Sequence, residues 1–97
     1  MKFLRRTVAF EWDQGNKGKN LKHGVRDEEC EEVFFDPQKK LLKDVLHSQK
    51  ENRYILIGAT KQQRPLFVVF TPRNNNVRVI SARDLNQRER RLYEEIS

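Results

Sequence analysis

The sequence predicts an α+β domain, an antiparallel β-sheet packed with two N-terminal helices and one C-terminal helix. The expected order is β-α-α-β-β-β-β-α. Three observations predict it. Four strand-like segments crowd between residues 41 and 82. Helix start and stop signals bracket segments on either side of them. The turn-forming run Asn74-Asn75-Asn76 joins the last two strands into a hairpin, because asparagine tolerates positive φ. The 97 residues suffice for one domain, taken as residues 1–97.

Thr7-Val8-Ala9-Phe10-Glu11-Trp12 alternates at Val8, Phe10 and Trp12 and reads as the first strand, with Trp12 turned to the core. Asp13 suits the N-cap of a helix over about 14–22, and Gly24 suits its stop. That helix is intrinsically poor, since Gly15, Asn16, Gly18 and Asn20 all resist it; another contact must hold it. A second helix fits about 27–35. Cys30, Val33 and Phe34 share one face, and Pro37 closes it. Its other face carries Asp27, Glu28, Glu29, Glu31 and Glu32, a solvated face or a docking surface for a basic partner.

The strands are then Leu41–Leu46, Tyr54–Thr60, Leu66–Phe70 and Val77–Ala82. Leu66-Phe67-Val68-Val69-Phe70 is apolar throughout, as expected of a central strand covered on both faces. The last helix begins near Asn86, with Glu89 completing a capping box and Leu92 and Ile96 on one face.

Charge narrows the partners. The chain has 20 Lys and Arg against 14 Asp and Glu, a net charge of +6, which favours a polyanion. Residues 1–49 contribute seven Lys, three Arg and nine acids. Residues 50–97 contribute two Lys, eight Arg and five acids. The surplus is therefore arginine, whose planar fork grips phosphate bidentately. The lone Cys30 excludes an internal disulfide and a cysteine zinc site, and reads as a small core residue. With two histidines, a His-rich metal site is not expected. No apolar run is long enough to span a membrane, and the first residues lack a signal-peptide core, so the cytoplasm is expected.

No glycine-rich phosphate loop, nucleophile elbow or metalloprotease motif is present. The candidate chemistry is a series of arginines, Arg53, Arg73, Arg78 and Arg83. A four-residue loop at 74–77 would set Arg73 opposite Arg78, where like charges repel unless an anion lies between them. A three-residue loop would pair Arg73 with Val77 instead. His23 and His47 titrate near neutral pH when unperturbed, so either suits a general base. Glu51 suits a base or an arginine-orienting carboxylate. Tyr93 carries a hydroxyl that suits a proton donor.

These residues resemble a family. Phe10-Glu11-Trp12-Asp13, Lys17, Asn20, Lys22-His23-Gly24, Val33-Phe34 and Asp36-Pro37 stand in the order seen at the start of BrnT-type toxins. His47-Ser48, Glu51, Arg53-Tyr54 and Ile57-Gly58 follow. Then come Val68-Val69-Phe70-Thr71, Arg73, Arg78, Ile80-Ser81-Ala82-Arg83, Glu89-Arg90 and Tyr93-Glu94. The pieces cover roughly residues 10–95. The sequence departs from the family pattern at Gly15, Gly18 and Lys19, at Arg26-Asp27, and at Asp84.

The resemblance implies a RelE-like ribonuclease fold and an endoribonuclease toxin of a type II toxin–antitoxin module, working without metal or cofactor. It implies a BrnA-type ribbon-helix-helix antitoxin, assembled as two toxins with two antitoxins and reaching operator DNA through the antitoxin. The expected site has His23 or Glu51 as base and Tyr93 as a lesser candidate acid. Arg53, Arg73, Arg78 and Arg83 clamp phosphate, with Lys22 a further phosphate contact. The other reading is a non-catalytic nucleic-acid-binding or corepressor component of the repressor complex.

Overall fold

A computed structural model describes residues 9–47 and 51–95. Thr7, Val8, Ser48 and Ile96, which figure in the expectations above, lie outside the described residues. The sheet has five strands: β1 (Ala9–Phe10), β2 (Lys40–Lys43), β3 (Tyr54–Ala59), β4 (Pro65–Arg73) and β5 (Asn76–Asp84). Their spatial order is β1-β5-β4-β3-β2. Two α-helices, α1 (Asp27–Val33) and α2 (Gln87–Glu94), accompany it.

The expected antiparallel sheet is in fact mixed. β1 runs parallel to β5, Ala9 beside Asn76 and Phe10 beside Val77. The other three pairings are antiparallel. The Glu11 amide extends the parallel pairing by donating to the Val77 carbonyl at 2.8 Å.

The first expected helix, over 14–22, is not an α-helix. The chain turns at 14–18 and then forms a 3-10 helix, Lys19–His23. Local side-chain bonds favour the turn. Asp13 Oδ1 accepts the Gly15 amide at 2.7 Å, and Asn16 Oδ1 accepts the Asp13 amide at 2.8 Å. Gly18 adopts φ 69°, where glycine is preferred, and its amide meets the Asp27 carboxylate. Gly24, also at φ 69°, ends the 3-10 helix as expected.

The contact that holds this weak segment comes from two buried asparagines. Asn16 Nδ2 donates to the Glu11 and Val79 carbonyls at 2.9 and 3.0 Å. Asn20 Oδ1 accepts the Ala82 amide at 2.9 Å, and its Nδ2 points at Cys30 Sγ, 3.9 Å away. A β-bulge explains the first tie. The β4–β5 register shifts between Val69 and Phe70, leaving Ile80 unpaired next to Val79.

The strand expected over Leu41–Leu46 stops at Lys43. The Asp44 amide still donates to the Arg53 carbonyl, but the Asp44 side chain then meets His47 Nδ1 at 3.0 Å and the backbone coils into a 3-10 helix, Val45–His47. β4 is central, yet only one of its faces is fully buried. Leu66, Val68 and Phe70 are sealed, while Phe67 and Val69 are half-buried.

The inner sheet face forms the core. Leu56, Leu66, Val68, Phe70, Val77, Val79 and Ala82 pack with Val25, Cys30, Val33 and Phe34. Burial of such side chains contributes about 1.5–3 kcal/mol each. An edge-to-face chain runs from Phe10 through Phe34 to Phe70, with ring centroids 5.2 and 5.0 Å apart, and Tyr54 stacks on Phe70. Trp12 is only partly buried beside this core, its Nε1 donating to Glu31 at 2.7 Å. Burial pushes the Cys30 thiol up to about 12, so it behaves as an inert core residue. Gly58 lets α1 approach β3: a Cβ there would lie 2.9 Å from the Val33 carbonyl.

Helix α2 begins with the expected capping box. Asn86 Oδ1 accepts the Glu89 amide at 2.8 Å and Glu89 accepts the Asn86 amide at 3.0 Å. The helix lies over the outer sheet face near β3, where Ile57 is buried. The candidate site lies at the β4–β5 hairpin end of that face, where Thr71 is buried.

Candidate functional site

Strand alternation sets the outer face. Thr71 pairs with Arg78, and Arg73 with Asn76, so both arginines and Thr71 share one side of the sheet. Arg53 immediately precedes β3, whose first residue, Tyr54, turns to the inner core. The loop is shorter than either register expected from sequence. Only Asn74 and Asn75 form the turn, with φ 50° and 70°, and Asn76 begins β5. Positive φ at both central residues is the two-residue hairpin geometry that matches strand twist. Arg73 therefore opposes neither Arg78 nor Val77.

The two arginines still share an anion, and the protein supplies it. Glu11 Oε1 lies 3.1 Å from Arg78 Nη1 and 3.5 Å from Arg73 Nη1. Arg78 also grips Asp13 with two parallel bonds of 2.9 and 3.0 Å. That hydrogen bonding raises the Arg78 pKa and holds the Asp13 carboxyl below its usual 3.8. Arg73 meets both oxygens of Glu51 at 3.2 Å. The Arg78 side chain is only 15% exposed and the Arg73 side chain 43% exposed. Arg78 is thus a fixed anchor, while Arg73 presents an accessible edge next to a carboxylate.

Other expected residues lie elsewhere. Arg83 is five residues from Arg78 along β5, roughly 16 Å of extended chain. It holds Glu89 bidentately at 2.8 and 2.9 Å and lies over the Phe67 ring, 4.0 Å from its centroid. His23 ends the 3-10 helix with an exposed side chain, and Lys22 is exposed beside it. The Tyr93 hydroxyl donates to Asp36 Oδ2 at 2.6 Å. Burial, and then that bond, push its pKa up to about 12. His47, the other histidine, is exposed next to Asp44. The structure joins Glu51 to Arg73 and Arg78 through Glu11, and separates them from Arg83 and Tyr93.

Sequence reasoning missed three residues of these clusters. Glu11 and Asp13 are the carboxylate partners just described. Arg64 is a hub at the opposite end. Its Nε and Nη2 bind Asp84 at 2.8 and 3.1 Å, and its Nη1 reaches the Gly24 carbonyl at 2.7 Å and Glu29 at 3.4 Å. The Asp84 bond raises the Arg64 pKa. A signal existed in the hairpin: Leu66 pairs with Asp84, which brings Arg64 and Asp84 together. Among the described residues no group of His, Cys, Asp and Glu is arranged to hold a metal ion, and no helix is long and apolar enough to cross a membrane.

Fold and site define a small basic α+β protein whose outer sheet face carries arginines paired with carboxylates. The family described as ribonuclease toxin, BrnT, of type II toxin–antitoxin systems matches residues 12–89, and the chain belongs to it. A protein antitoxin is therefore its partner. No match to a curated protein was found. The matched span covers every candidate residue named from sequence except Tyr93.

Proposed function

We propose that the chain is a metal-independent endoribonuclease with a RelE-like fold, cutting RNA at the outer face. The reading rests on one observation: the Glu51 carboxylate lies 3.2 Å from the Arg73 guanidinium, on the face that also carries Arg78. Such a pair has the two functions that RNA transesterification needs. Glu51 takes the proton of a ribose 2′-hydroxyl, and the 2′-oxygen attacks the adjacent phosphorus. Arg73, with Arg53 and Arg78, neutralises the charge that gathers on the phosphorane oxygens. The P–O5′ bond breaks, and the 5′-oxygen leaves as an alcohol with a proton from solvent. The products are a 2′,3′-cyclic phosphate and a 5′-hydroxyl. Arg83, Lys22 and His23 contact flanking RNA backbone in this reading, and Tyr93 braces α2.

The antitoxin is of the BrnA ribbon-helix-helix type, joins as two copies with two toxins, and carries the complex to operator DNA. The module works in the cytoplasm. The test is end analysis of RNA incubated with purified protein in excess chelator. Cyclic-phosphate ends from the wild type, lost with Glu51→Gln, support the reading; intact RNA, or cleavage abolished by chelator, contradicts it.

One observation favours the non-catalytic reading. Arg73 and Arg78 are already neutralised by carboxylates of their own chain. Salt-sensitive binding with RNA left intact is the signature of that role.

A further inference from the structure

We infer that Glu11 fills the seat a substrate phosphate takes, and so sets RNA affinity by competing for Arg73 and Arg78. The inference rests on the outer face being the RNA site. A single oxygen of Glu11 bridges both guanidinium groups, at 3.1 and 3.5 Å. A non-bridging phosphate oxygen offers the same acceptor to the same two donors. Glu11 is the carboxylate of the cluster that touches both arginines, and its departure leaves each of them held by another. Arg78 keeps its paired bonds to Asp13, and Arg73 keeps Glu51. The Glu11 backbone is fixed separately, by its amide bond to Val77. Its side chain is 32% exposed, so rotation into solvent frees the seat without disturbing the strand. Glu11 is thus a positioning residue. It keeps two like charges side by side in the free protein and yields to the phosphate.

The test is binding of an RNA oligonucleotide 2′-O-methylated throughout, which cannot be cut, to the full chain. Glu11→Gln should bind about threefold to tenfold tighter, the range expected for a partly exposed ion pair with a further charged hydrogen bond. Glu28→Gln makes the same change in net charge on the exposed side of α1, away from this face, and should gain less than about twofold. Arg73→Ala should weaken binding, and Glu11→Gln should gain less in that background. A Glu11→Gln gain no larger than that of Glu28→Gln, or equal with and without Arg73, overturns the inference while leaving the RNA site in place. Wild-type affinity in Arg73→Ala overturns the site reading beneath it. If Glu11→Gln melts early, Glu11→Asp replaces it. The shorter side chain keeps the charge and withdraws from Arg73, so it too should tighten binding, and a failure to do so overturns the inference.

Discussion

Arg78 and Asp13 meet through two parallel bonds of 2.9 and 3.0 Å, and this pair fastens the loop after β1 to strand β5. Gly15 permits the closeness, since a Cβ there would lie 2.6 Å from Arg78 Nη2. The guanidinium therefore serves both fold and site. Arg78→Ala should lower RNA cleavage on the order of 10²-fold, the usual effect of losing one preorganised charge donor. It should also lower the melting midpoint. Arg78→Lys keeps the charge without the fork and should fall between. Cleavage rates read beside thermal melts check both effects. A variant that melts early but cleaves at the wild-type rate makes Arg78 a structural residue alone.

The asparagines predict a stability effect without a chemical one. Asn16→Ala leaves the Val79 carbonyl at the bulge without its donor, and Asn20→Ala leaves the buried Ala82 amide without its acceptor. Each should cost about 1–3 kcal/mol, the penalty of an unsatisfied buried group. Urea denaturation measures it. Losses below a few tenths of a kcal/mol would show that water replaces these bonds.

Those asparagines also mark how far the sequence could be read. Helix α1, strands β3 to β5 and the Asn86–Glu89 capping box were legible, because periodicity and capping are local signals. Asn16 and Asn20 were visible as poor helix formers but not as struts, since their partners lie 63 and 62 residues away. The site divides the same way. The arginines were legible as a type. Their carboxylates Glu11 and Asp13 were not, because Arg78 meets them across 67 and 65 residues. The parallel pairing of β1 with β5 is equally non-local, so the sequence suggested a purely antiparallel sheet.

Tyr93→Phe separates a brace from a proton donor. The hydroxyl is committed to Asp36, which also accepts the Ala59 amide at 2.8 Å and the Gln38 amide at 2.9 Å. Removing it should cost about 1 kcal/mol in this partly exposed setting and leave cleavage within about twofold. Absorbance titration gives a second check. With its pKa raised from 10.0 to about 12, this hydroxyl contributes stability that is complete below pH 10 and lost as pH rises through about 12. A tyrosinate signal near 12 should be missing in Tyr93→Phe. A hundredfold loss of cleavage would return Tyr93 to the chemistry.

Acid should unfold the chain through its paired carboxylates. Arginine hydrogen bonds hold Asp13, Asp84 and Glu89 below their ordinary values of 3.8, 3.8 and 4.5. Burial pushes Asp36 and Glu29 upward, but hydrogen bonds and nearby cations outweigh it, and both also lie below their ordinary 3.8 and 4.5. A depressed folded-state pKa gives stability that is present above the ordinary value and lost as pH falls through the lowered one. Stability should thus hold to about pH 4.5 and decline below it, as denaturation monitored by circular dichroism would show. A stability that rises between pH 4.5 and 3 contradicts these pairings.

The central claim is that Glu51 and Arg73 act together on RNA, and single-turnover cleavage by Glu51→Gln, Arg73→Ala and the double variant tests it most directly. Residues that work as a unit are strongly non-additive. Each single variant should lose on the order of 10²–10³ in rate, and the double variant little more. Wild-type cleavage by folded Glu51→Gln, or losses that simply multiply in the double variant, would contradict it.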